Sequence, residues 1–343
     1  MADTLSEREV ISRYFQPLAT FPGAFDLLDD CAELAPAPGQ AFVFKTDPIR
    51  AGVHFFAEDD PADIAWKALA VGVSDLAAKS ARPVAYLLAV SFADAPQAHW
   101  LQAFSDGLRA AQDAFGAALI GGDTDRADGP MTIAATLIGE VPVGRMIHRG
   151  GARVGDLLYV TGALGEAGVG LGFRAAELGA AVGPDTSGLD PDIAAAARAR
   201  YLRPEPRLGM KAALRRYATA AMDISDGLAL DVDRLVTASS HFGPDAVGCE
   251  IEVARLPVAA SVQTLASAQS EHLQLAVGHG DDYEVLATVG PTDAAAFEDL
   301  SAKGGVSVTE IGRITATPGV AWHSGDGQRV DVSALGYQHF RAS

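Results

Sequence analysis

The chain has 343 residues, 49% hydrophobic and 20% charged, which is enough to bury a large core and points to two α/β domains rather than one. With 44 acidic against 26 basic residues the formal net charge is -18, which repels nucleic acid and anionic membrane and favours cations as partners. Cys31 and Cys249 form no C-x-x-C motif, so neither a disulfide framework nor a zinc site is indicated, and a reduced, cytoplasmic setting is expected.

The first residues contain no apolar core of a signal peptide, and the longest apolar stretch, 83–93, is far short of the roughly 20 residues a membrane helix needs. Ser6-Glu7-Arg8-Glu9 is a capping box ahead of Val10, Ile11, Tyr14 and Phe15 at helical spacing, so a short amphipathic helix opens the chain. Asp29-Asp30 follows an apolar step, a pattern shared with solvated turns. Residues 41–46 form an apolar strand ending at Thr46-Asp47, and a loop through Gly52-Val53-His54-Phe55 comes next. Asp60-Pro61 is an N-cap with proline at the first helical position, and it opens a long helix to about Ser80. On that helix Lys67, Val71 and Asp75 share a face, and Asp75, among small and apolar neighbours, reads as a buried carboxylate bound to a cation.

A strand over 84–92, a helix over 97–115, and strands over 117–120 and 131–141 complete the first half. The strand at 117–120 is expected to stop at Gly121-Gly122, where backbone can approach a phosphate closely. Asp123 follows at once, and a carboxylate beside a phosphate needs a cation between them.

The basic, glycine-rich segment 145–155, with Arg145, Arg149 and Arg153, marks the boundary, giving domains 1–145 and 146–343. Beyond it come a strand over 156–162, helices near 166–178, 192–201 and 205–217, and a short strand, 219–222. That strand closes on Asp223-Ile224-Ser225-Asp226-Gly227, where a strand-to-helix corner offers backbone amides to a second phosphate. A helix through Leu235, strands over 247–253, 285–289 and 306–311, and a helix over 292–302 follow.

Asp30, Asp47, Asp123, Asp223 and Asp226 thus lie at strand or loop ends, and Asp75 joins this set of aspartates from a helix. Gathered in one cleft they would repel by several kcal/mol unless divalent ions neutralised them, and magnesium suits carboxylate and phosphate oxygens. There is no H-x-x-x-H pair, no G-x-S-x-G elbow and no G-x-x-x-x-G-K-[ST] loop. A non-catalytic acidic cation-binding protein remains open on these residues alone.

Asp29-Asp30-Cys31-Ala32, Thr46-Asp47, Gly52-Val53-His54-Phe55, Lys67 to Val71 with Ser74 to Ala78, Ile120-Gly121-Gly122-Asp123-Thr124, Asp223 to Leu228, Asp282-Tyr283-Glu284 and Gly336-Tyr337-Gln338-His339-Phe340 resemble the bacterial thiamine-monophosphate kinase family. The resemblance runs in order along nearly the whole chain, within the superfamily of aminoimidazole ribonucleotide synthetase. It implies ATP-dependent conversion of thiamine monophosphate to thiamine diphosphate on a homodimer whose N-terminal domains, each a mixed sheet with helices, pair into a barrel. The N-terminal domain would bind metal and ATP and dimerise, and the C-terminal α/β domain would complete the ATP and substrate site. By motif position, Asp30, Thr46, Asp47, Asp75, Asp123, Asp223 and Asp226 would hold several magnesium ions; Gly121, Gly122, Asp123, Arg149 and Ser225 would contact ATP; and His54, Asp281 and Tyr337 would contact thiamine phosphate. Because the acceptor is an ionised phosphate, no general base and no covalent nucleophile is expected. The alternative is another ATP-dependent enzyme of the same superfamily with a different phosphoryl acceptor. Three residues depart from the family pattern: Leu28 replaces a glycine, Lys45 replaces a serine or threonine and is expected to face solvent, the alternative being that it answers a phosphate charge, and Asp281 replaces a glutamate.

Overall fold

The computed structural model describes residues 5–265, 269–332 and 335–337. The chain divides into two units, Met1–Leu76 with Ala81–Met146, and Ala77–Ser80 with Ile147–Ser343. Among the described residues no helix is long and apolar enough to cross a membrane.

In the first unit, Ser6 and Glu9 cap α1 (Glu7–Val10) reciprocally, the Ser6 hydroxyl accepting from the Glu9 amide and the Glu9 carboxylate from the Ser6 amide. β1 (Gln40–Arg50), β2 (Arg82–Phe92), β3 (Ala118–Arg126) and β4 (Thr132–Pro142) make an open sheet in the order β1-β4-β2-β3. β1 runs past its expected end at Thr46 because it is an edge strand, the position where a sheet tolerates Pro48. α2 (Pro61–Ala78) and α3 (Ala98–Phe115) supply the helical layer. Strand alternation then sorts the sheet into two faces. Ile133, Ala135 and Leu137 of β4 are buried, and Leu137 sits so close to Gly72 of α2 that a Cβ there would meet it at 2.8 Å. The opposite face leaves Phe44 and Leu87 exposed, at 64% and 38%.

The second unit contains β5 (Leu157–Thr161), α4 (Glu166–Glu177), α5 (Pro191–Leu202), α6 (Lys211–Tyr217), β6 (Ala218–Ile224), α7 (Leu228–Phe242) and β7 (Gly248–Glu252). It continues with α8 (Ala260–Leu265), α9 (Gln269–Gly278), β8 (Glu284–Val289), α10 (Ala294–Lys303), β9 (Val308–Thr315), β10 (Gly319–His323) and β11 (Arg329–Val330). Its seven strands run in the order β11-β10-β7-β9-β5-β8-β6. β8 is buried on both faces: Leu286 packs with Met222, Ile224 and Val232 on one side, and Val285, Ala287 and Val289 pack with Leu214 and Phe297 on the other. The sequence does not announce β10 and β11, which are too short to show a period of two, nor α8 and α9.

Candidate functional site

Lys45 and Asp47 lie two apart on β1, so both side chains share the face covered by α2, and Asp75 approaches them from that helix. Lys45 Nζ is 3.0 Å from Asp47 Oδ1 and 2.8 Å from Asp75 Oδ2. The lysine therefore does not turn to solvent as its charge alone suggests; it is the cation bound to Asp75. Burial opposes the ammonium charge, but Asp75 and then Asp47 outweigh it, and the Lys45 pKa is raised. For Asp47 burial outweighs the lysine and the carboxyl pKa is raised. Asp75, the nearer carboxylate, is the principal partner. Thr46 points to the other face, away from the Asp47 carboxylate, and Thr136 donates to its hydroxyl at 3.0 Å.

β3 does not stop at the two glycines. It runs on to Arg126 beside β2, with a bulge: Tyr86 faces Leu119 and Leu87 faces Gly121, leaving Ile120 as the extra residue. At Gly122 (φ 157°) a Cβ would stand 1.8 Å from the Leu88 carbonyl oxygen, so the neighbouring strand itself demands glycine. Asp123 is exposed and accepts from the Thr124 amide at 2.9 Å. Its register partner Ala89 pairs with Ala134, whereas Asp47 pairs with buried Ala135, so Asp123 and Asp47 emerge on opposite faces of the sheet. On the open face Asp123 lines a cleft of about 450 Å³ with Arg50, Ser91, Asp125, Asp128 and Thr132.

His54 sits in the turn after β1, its Nδ1 accepting from the Arg50 amide at 3.1 Å. Asp30 is exposed, just after three consecutive left-handed residues, Phe25, Asp26 and Leu27 (φ 49°, 55° and 54°). Among the described residues no three His, Cys, Asp or Glu side chains are grouped to hold one metal ion.

In the second unit Asp223 is 3% exposed at the end of β6. The amides of Ser225 and Asp226, expected to face a phosphate, both donate to Asp231 Oδ2 of α7, at 3.0 and 3.1 Å. Asp231 is fully buried, and burial pushes its pKa up to about 6 against the pull of those amides and of Arg234. Arg234 donates to Asp231 Oδ1 at 2.8 Å and also pairs with Asp226. Backbone contacts gather the remaining candidates at this corner: the Asp281 amide donates to the Ser225 carbonyl at 2.9 Å and the Tyr337 amide to the Asp226 carbonyl at 2.9 Å. Tyr283 donates its hydroxyl to Asp281 Oδ1 at 3.0 Å, and both residues hold left-handed backbone, φ 51° and 67°. Arg149 is exposed, next to His148, whose carbonyl accepts from the Ala221 amide on the free edge of β6 at 3.0 Å. Gln338, His339 and Phe340 lie outside the described residues.

The profile of the AIR synthase related protein N-terminal domain matches residues 28–141, and that of the corresponding C-terminal domain matches 153–323. The thiamine-monophosphate kinase of Caulobacter vibrioides is 38% identical over 341 residues, covering 97% of this chain and 91% of that protein. The chain belongs to the thiamine-monophosphate kinase family. The crystal structure of the thiamine-monophosphate kinase from Stenotrophomonas maltophilia K279a aligns with a TM-score of 0.76 at 35% identity, covering 89% of this chain and 91% of that one. AaThiL complexed with AMPPCP and TMP aligns with a TM-score of 0.74 at 27% identity, covering 89% of each chain.

Against the thiamine-monophosphate kinase pattern, the acidic positions offer only carboxylate oxygens, a donor set that suits magnesium rather than zinc. Exposed Asp30 and Asp123 fit that ion. The Asp47–Asp75 pair does not, because Lys45 Nζ already fills the position between its carboxylates. The sequence reading overlooks Asp231 and Arg234, although an acidic residue in the first turn of a helix with a basic one three positions on is a legible signal. It also overlooks what lies behind Asp282-Tyr283-Glu284. Asp282 accepts from the Gly165 amide with both oxygens at 3.0 Å, ahead of α4, and burial raises its pKa well above the ordinary value. Glu284 is 1% exposed and is held by Arg200 at 2.8 Å and by Arg207 Nε at 2.7 Å.

Proposed function

We propose that this chain transfers the γ-phosphoryl group of ATP to the phosphate of thiamine monophosphate, giving thiamine diphosphate and ADP. The observation that carries this reading is the near full-length likeness to thiamine-monophosphate kinases, 38% identity in one case, together with the likeness to a structure holding AMPPCP and TMP.

The acceptor is a phosphate monoester that is largely ionised near neutral pH, so it attacks without a general base. Catalysis then rests on positioning and charge neutralisation in a single in-line displacement. In the first unit, Asp123 with Gly121 and Gly122 is assigned to the nucleotide and His54 to thiamine phosphate. In the second, Arg149 and Ser225 are assigned to the nucleotide, and Asp281 and Tyr337 to thiamine phosphate. Magnesium held by Asp30, Asp123, Asp223 and Asp226 would supply neutralising charge to the phosphate oxygens. The exposed apolar face of the first unit's sheet, with Phe44 and Leu87, supports a homodimer in which a second copy covers it.

The test is ADP release from ATP in the presence of magnesium. Release that depends on thiamine monophosphate, and is absent with unphosphorylated thiamine, supports the reading; release driven only by another acceptor overturns it.

A further inference from the structure

The Asp47–Asp75 pair presents two carboxylates to one cation-sized position, and the chain fills that position with its own side chain. Lys45 is fixed there by the strand: residues two apart on β1 must share a face, so the lysine and Asp47 point together toward α2. Its Nζ is 2.8 Å from Asp75 and 3.0 Å from Asp47, and the lysine and Asp75 side chains are 33% and 19% exposed. A magnesium ion bridging the same two carboxylates would need oxygens at about 2.0–2.1 Å around a point the ammonium already occupies. The lysine is tethered, so its occupancy does not depend on free magnesium, and an incoming ion must first expel a fixed charge of like sign.

We propose that Lys45 is a built-in counter-ion that closes the Asp47–Asp75 carboxylate pair to divalent metal, so that the chain holds one divalent ion fewer than it would with a neutral residue at position 45. The inference deepens the kinase reading by fixing the metal content of its first unit, and it rests on that reading only for the pair's place among the metal ligands.

The test counts manganese bound to the full chain without nucleotide or thiamine monophosphate, from the electron paramagnetic resonance of free Mn²⁺. Its outcome is therefore independent of whether the enzyme turns over. Lys45→Thr is expected to bind one Mn²⁺ more per chain than wild type, and the double variant Lys45→Thr/Asp75→Asn is expected to lose that extra ion. Lys45→Arg, which keeps the charge, is expected to match wild type. Equal numbers in wild type and Lys45→Thr would overturn the proposal. Should Lys45→Thr fail to fold, Asp75→Asn in the wild-type background decides: an unchanged count supports the built-in counter-ion, and loss of one ion shows that the pair holds metal in spite of the lysine.

Discussion

Gly122 lies against the carbonyl of Leu88 so closely that a Cβ would stand 1.8 Å from the oxygen. The glycine that reads as a phosphate cradle is first a requirement of the β2–β3 pairing, and the two roles separate experimentally. Gly122→Ala is expected to destabilise the nucleotide-free chain by about 1–3 kcal/mol, the usual cost of overpacking. A lowered melting temperature without ATP is the expected reading; unchanged stability with lost ATP affinity would assign the glycine to the ligand alone.

Asp75 and Asp123 should part company in stability. Asp75→Asn removes the nearer partner of the half-buried Lys45, at a cost of about 1 kcal/mol. Asp123→Asn changes an exposed side chain and should leave the melting temperature in place. Asp123→Asn, which removes a proposed magnesium and nucleotide contact, should lose most turnover. Thermal melts without magnesium beside an ADP-release assay check the pair, and a stabilised Asp75→Asn would contradict the ion-pair geometry.

The limits of reading the sequence are clearest at these residues. Alternation along β1 already places Lys45 and Asp47 on one face, so two members of that triad are legible; Asp75, nearly thirty residues away, joins only through the packing of α2 on the sheet. The bulge at Ile120 and the approach of Leu88 to Gly122 depend on pairing with β2, which no local pattern reveals. Long periodic elements such as α2 and α3 are legible almost to the residue, because their apolar spacing and the Asp60-Pro61 start are local signals.

Asp231 gives a pH signature. Its carboxyl is pushed up to about 6 from an ordinary 3.8, so between those values the folded chain binds the proton that the unfolded chain has released. Its contribution to stability is therefore full below pH 3.8 and is lost as pH rises to about 6, at about 1.4 kcal/mol per pH unit. Urea midpoints measured from pH 4 to 7 should show wild type losing stability relative to Asp231→Asn over that range. Parallel curves would mean that Asp231 is ionised throughout.

His54→Ala and Tyr337→Phe are expected to weaken thiamine monophosphate binding by about tenfold, roughly 1.4 kcal/mol, and to spare ATP. Separate calorimetric titrations of the two substrates check this. An equal loss for ATP would remove both residues from the acceptor side.

Transfer should be direct. With chiral γ-thiophosphate ATP, one displacement inverts the configuration at phosphorus, whereas a phosphorylated aspartate would need two and give retention. Retention, or ADP–ATP exchange without thiamine monophosphate, would make one carboxylate a nucleophile.

The most direct measurement is a product balance: the purified full chain with ATP, magnesium and thiamine monophosphate, with thiamine diphosphate and ADP quantified by anion-exchange chromatography. Thiamine diphosphate and ADP should appear in equal amounts, and neither should form when thiamine monophosphate is omitted. ADP accumulating without thiamine diphosphate, or no thiamine diphosphate at any magnesium concentration, would contradict the assignment.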